Sequence, residues 1–184
     1  MKKVLSLILA TLLVLTSVAA VAEALPSKTT TDITVVNEAV AENGEVTITV
    51  VEPTEKVLEA LTAAVEAVLG GAKPETIFDE DVQAAIAEKL GDVELELNEI
   101  VAVSAPEYTE ENGAVTAKFT FATAYTADQK LVAVVCTYTG DVPEEFVLDA
   151  AANEDGTVSV TFTVEAMAKI AAADAATLAI LNTK

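Results

Sequence analysis

One turn is written three times in this chain. Glu42-Asn43-Gly44-Glu45-Val46-Thr47, Glu111-Asn112-Gly113-Ala114-Val115-Thr116 and Glu154-Asp155-Gly156-Thr157-Val158-Ser159 share an acidic residue, an Asn-Gly or Asp-Gly pair and the start of a strand. Asn-Gly and Asp-Gly supply the positive φ angles that a tight turn demands. The copies are unequally spaced, so they form no solenoid repeat. They are one turn solution used three times, and they commit most of the chain to antiparallel strands.

The segments between turns agree. Ile33–Val36 reads as a short strand, and the turn at 42–44 feeds a second, Glu45–Val51, with Val46, Ile48 and Val50 on one face. Pro53-Thr54 marks a helix start with Thr54 as N-cap. Its stripe is Val57, Leu58, Leu61, Val65, Val68 and Leu69, and Gly70-Gly71 stops it. A second helix begins at Asp79, shows Val82, Ala85, Ile86 and Leu90, and ends at Gly91. The acidic run Asp79-Glu80-Asp81 suits the positive end of that helix, which explains it without a bound cation.

At Asp92 the character changes. Val93, Leu95 and Leu97 alternate with Glu94, Glu96 and Asn98, and Ile100–Val103 extends that strand until Pro106. Val115–Phe121, Leu131–Thr139, Phe146–Leu148, Val158–Val164 and Thr177–Leu181 follow, with a helical turn at Met167 and Ile170. Leu131–Thr139 is apolar on both faces, as a central strand is. The fold expected is α+β: a strand–strand–helix–helix unit over 25–91, then an antiparallel β-sandwich over 92–184, immunoglobulin-like by class. The Cys…Trp…Cys core of true immunoglobulin domains is absent.

Residues 1–24 stand apart. Lys2 and Lys3 precede an apolar run, and Ala20-Val21-Ala22 and Ala22-Glu23-Ala24 close it, the layout of a secretory signal peptide. The run is also long enough to anchor in a bilayer. Its ending in small residues, without a basic stop-transfer flank, favours cleavage, with no membrane attachment afterwards. The expected location is extracellular.

Composition narrows the chemistry. Ten basic residues, all lysines, face 30 carboxylates, for a net charge of −20. Such a chain repels nucleic acid, which is bound through clustered Lys and Arg. There is no His, no Arg and no Trp. Ser-His-Asp and Cys-His nucleophile pairs are therefore absent, as are imidazole zinc sites and bidentate guanidinium clamps. Cys136 is alone, so no intrachain disulfide forms, and its apolar run Leu131–Cys136 makes it a core thiol. No catalytic, metal-binding or cofactor-binding set emerges. Asn153–Gly156 lacks the further oxygen ligands of a calcium loop and reads as a hairpin turn.

The stretches Leu97–Val103, Val115–Tyr125 and Ala176–Leu181, with the opening Pro26-Ser27-Lys28-Thr29-Thr30, carry a resemblance. On them the C-terminal half resembles a module of small exported proteins from Gram-positive, gut-type bacteria, a family with no assigned activity. The resemblance implies export and bacterial origin, and no catalytic motif.

Three functions compete. The first is a secreted non-catalytic interaction or structural module with an extracellular protein or glycan partner. The second is a carbohydrate-binding module, for which Tyr108 and Tyr125, beside strand ends, are the candidate ligand-binding residues; ordinary packing is the plainer account of both. The third is a carboxylate-based glycoside hydrolase. Pairs such as Glu110/Glu111 and Glu144/Glu145 exist, but that chemistry needs two carboxyls facing each other across a cleft. Adjacent strand residues point apart.

Overall fold

A computed structural model describes residues 35–121, 124–140 and 142–184. Residues 1–24, read above as a signal peptide, the lead that follows them and Ile33-Thr34 lie outside the described residues.

The elements run β1 (Val35–Ala41), β2 (Thr49–Val51), α1 (Glu55–Leu69), a 3-10 turn (Pro74–Ile77) and α2 (Glu80–Leu90). Then come β3 (Leu95–Ser104), a second 3-10 turn (Glu110–Asn112), β4 (Val115–Thr120), β5 (Lys130–Thr139) and β6 (Val142–Ala152). β7 (Val158–Phe162), α3 (Val164–Ala172) and β8 (Ala175–Thr183) complete the chain. Thr54 caps α1, its Oγ1 accepting from the Val57 N–H at 3.4 Å, and Gly70 ends it. Thr163 caps α3 in the same way, accepting from the Ala166 N–H. The helical turn read at Met167 and Ile170 is thus a nine-residue helix.

All eight strands join one sheet in the order β1-β4-β7-β6-β5-β8-β3-β2, and every neighbouring pair is antiparallel. β6 is far longer than Phe146–Leu148 because it is held on both sides, by β5 along its length and by β7 at its end. Cys136 lies on β5, between β6 and β8, and is buried.

Among the described residues, the strands before Asp92 form no separate sheet. β1 pairs with β4, and β2 pairs with β3. The turn at 42–44 therefore does not pair the two strands that flank it; they form opposite edges of the sheet. Residues 45–48 leave the ladder to bury Val46 and Ile48 in the interior, which trims the expected strand Glu45–Val51 to β2.

The sheet curls so that its edges β1 and β2 approach within 8 Å, Cα to Cα. Inside the curl, Phe119, Phe162, Val115, Val160, Leu178 and Ile180 pack with Met167 and Ile170 of α3. On the outside, α1 and α2 cover the central strands: Val57, Leu61, Val82, Ile86 and Leu90 meet Leu95, Leu97, Val132, Val134 and Leu181. Aromatics are few, but Phe119 stacks on Phe121 at 5.5 Å between ring centroids and lies 6.3 Å from Phe162.

The first two copies of the repeated turn face each other. The Asn43 amide donates to the Asn112 carbonyl at 2.9 Å, and the Asn112 side-chain amide donates to the Asn43 carbonyl at 2.9 Å. The Asn43 side chain reaches the Glu111 carbonyl, and the Glu42 N–H reaches the Ala114 carbonyl. Gly44 and Gly113 take φ of 73° and 74°, and a methyl on Gly113 would sit 2.9 Å from Glu42 Cβ. Only glycine suits that position. The clasp holds the end of β1 beside the start of β4. The third copy is the hairpin turn between β6 and β7: Asn153 accepts from Gly156, and Gly156 has φ of 80°.

Candidate functional site

Tyr108 and Tyr125 do not form a sugar platform. Tyr108 is 5% exposed and donates its hydroxyl to the Gly113 carbonyl at 2.8 Å, behind the clasp. Tyr125 is 2% exposed and lies edge-on to Phe121 at 6.0 Å. Stacking on a sugar requires an open ring face, and both rings are core. Burial pushes both hydroxyls up in pKa; at Tyr125 the charges of Glu99 and Glu96 add to it.

The adjacent carboxylate pairs diverge. Glu144 binds Lys169 at 2.6 Å, whereas Glu145 accepts from the Asp79 N–H at 2.9 Å and so ties the start of α2 to β6. Burial raises the Glu145 carboxyl. Glu110 and Glu111 are exposed on the second 3-10 turn. Asp79, Glu80 and Asp81 occupy the N-cap and first turn of α2. Among the described residues, no three His, Cys, Asp or Glu side chains group as metal ligands. Burial lifts the Cys136 thiol to about 11, against the pull of a hydrogen bond with Tyr138, so it stays protonated and unreactive near neutrality.

A concave feature lies elsewhere, where the end of α1, the first 3-10 turn and the start of β3 meet. A cleft of about 600 Å³ opens there, lined by Val68, Leu69, Ala72, Pro74, Val93 and the first residues of β3. Two of its walls are sequence expectations that failed. Leu69 belongs to the apolar stripe of α1, yet it is 42% exposed. Val93 belongs to the alternating strand, yet it is 46% exposed and precedes β3. Leu69 is the last residue of α1 before Gly70 and, unlike Val57 and Leu61, stays outside the helix–sheet core. A residue that breaks the burial pattern marks a functional or strained site more often than chance would.

The cleft has a built-in backbone edge. β2 meets β3 only at Ala102–Ser104. At its other end, Leu95–Leu97 has a strand on the β8 side alone among the described residues. The ladder sets which groups face out. The Lys184 N–H donates to the Glu94 carbonyl, which makes Glu94–Lys184 and Glu96–Asn182 the hydrogen-bonded pairs. The N–H and C=O groups of Leu95 and Leu97 therefore point toward the open edge.

Charge around the cleft is acidic. Glu75, Asp92, Glu94 and Glu96 line it with Lys73 and Lys184. Lys184 pairs with Glu94, and Lys73 stands 3.9 Å from Glu75. The second Glu75 oxygen is buried without a hydrogen-bond partner. Asp92 and Glu96 have no ion pair among the described residues.

No signal in the sequence marked this site. The bulge between Leu97 and Glu99 could have been suspected from Ile100–Val103, where alternation stops; it turns Glu99 inward while Leu97 and Ile100 share the helix-covered face.

No protein-family model, no curated protein and no solved structure matches this chain. Among the described residues no helix is long and apolar enough to cross a membrane.

Proposed function

We propose that this protein is an exported, non-catalytic binding module of a bacterial cell exterior, and that its partner is a protein. The observation that carries this reading is the cleft beside the open end of β3, where Leu69 and Val93 lie exposed against an unfilled strand edge. Exposed apolar side chains beside free backbone donors and acceptors suit a polypeptide better than a sugar. The export reading is supported by the segment 1–24. The finer architectural reading, a sandwich of immunoglobulin-like class, rests on the sequence pattern of short strands and turns; the single curled sheet of antiparallel strands supports its all-antiparallel character.

The test is a pull-down from the culture medium and cell surface of the producing bacterium, with residues 25–184 as bait. A partner retained by the native protein and lost with the L69E/V93E double variant is the expected result. Recovery of nothing, or equal recovery by both baits, would sink the reading.

A further inference from the structure

We infer that the cleft takes an added β-strand: an extended peptide of alternating apolar and basic residues, laid along the segment Val93–Leu97 that leads into β3, in line with β2. This rests on the reading that the protein binds a polypeptide, and deepens it by naming the mode and the chemistry of the ligand.

The argument begins with what β2 leaves undone. β3 is a ten-residue strand, but β2 covers only its last three residues. Pro53 and the N-cap Thr54 then turn the chain into α1. A proline cannot donate to a ladder, so the chain cannot extend β2 down the rest of β3. The place that a longer β2 would fill is left beside Leu95 and Leu97, whose backbone groups face it.

The side chains on the two faces of β3 define the ligand. Successive strand residues point to opposite faces. Leu95 and Leu97 face the helix-covered side, and Val93, just before β3, lines the same cleft as the exposed Leu69. Glu94 and Glu96 share the other side. Lys184 engages Glu94, and Glu96 has no ion pair among the described residues. A strand laid on this edge places every second residue against Val93 and Leu69, and the intervening ones against Glu94 and Glu96. Cross-strand pairing then favours apolar residues at the first set and lysine or arginine at the second. The whole-chain charge of −20 draws such a peptide in and repels an acidic one.

The experiment uses residues 25–184 and three synthetic hexapeptides, read by fluorescence anisotropy and by amide chemical shifts. The first peptide alternates valine and lysine. The second alternates valine and glutamate. The third is the first with alternate backbone nitrogens methylated, on the side that would pair with β3. The Val-Lys peptide is expected to bind, with shifts centred on residues 93–97, and to weaken at least tenfold with either other peptide. Glu96→Lys should weaken it several-fold, and Leu69→Glu should do the same without altering the circular dichroism spectrum. Binding that survives N-methylation shows charge attraction without strand addition and overturns the proposal. So do shifts centred elsewhere, or no binding at all. A native partner that the L69E/V93E variant loses, but that the Val-Lys peptide fails to displace, would leave the proposed function standing while removing this inference.

Discussion

The two ends of the curled sheet solve the problem of an exposed edge in opposite ways. At one end, the clasped Glu-Asn-Gly turns and β2 bring the edges together, and Val46, Ile48 and Tyr108 are buried behind them. At the other, β2 has stopped, β3 runs on without it, and apolar side chains face water. Unprotected strand edges invite pairing with other chains, and natural proteins usually blunt them. The open end is short and acidic, which discourages a second copy of this chain and admits a basic partner. Stability is thus expected to reside at the clasped end and binding at the open one.

Five measurements break or sharpen that contrast. The largest effect belongs to neither end. Phe162 is fully buried in the shared interior, and Phe162→Ala should cost about 3–5 kcal/mol in urea unfolding. Next is the clasp: Gly113→Ala combines positive φ with a clash against Glu42 and should cost about 2–4 kcal/mol. If it costs less than a typical surface change, the clasp is not what closes the sheet.

Acid gives a smaller effect. Asp155 accepts from Lys118 at 2.6 Å and from the hydroxyl and N–H of Thr157, which hold its carboxyl well below the usual range. A depressed folded pKa stabilises above the unfolded value of about 4 and is lost as pH falls through the folded value. Urea midpoints measured from pH 6 downward should fall in that window, and Asp155→Asn should flatten the fall. Smallest of all, Leu69→Glu should change stability by no more than about 0.5 kcal/mol while weakening peptide binding. Hydrogen exchange checks the register beneath it: the Leu95 and Leu97 amides should exchange faster than that of Glu96.

Much of the fold was legible because local rules sufficed. Thr54 bounds α1 by a side-chain cap, and Gly70, Asp79 and Gly91 stand at the helix ends where the sequence puts them, although the Asp79 side chain makes no capping hydrogen bond. The two-faced apolarity of Leu131–Thr139 placed β5 in the middle of the sheet. Pairing was not legible. The same three-residue turn makes a hairpin at 154–156 and a long-range clasp at 42–44 and 111–113, because the partner of a turn is chosen by the strands beyond it. The cleft was hidden for a related reason. Leu69 and Val93 obey their periodicities, and only the tertiary arrangement shows that they stay exposed in a cleft. The tyrosines misled because position beside a strand end says nothing about which way a ring turns.

The clasp also carries a consequence for the order of assembly. Its halves lie 69 residues apart, and among the described residues β1 has no strand partner but β4. A chain made from its N-terminus presents β1 long before β4 exists. Contacts of such long sequence separation form late, after the closure entropy has been met. β1, with Val40 still 55% exposed in the finished fold, is then the segment most open to misassembly during synthesis. Glu38 and Glu42, within and beside it, place charges of the kind that discourage an exposed strand from pairing with other chains.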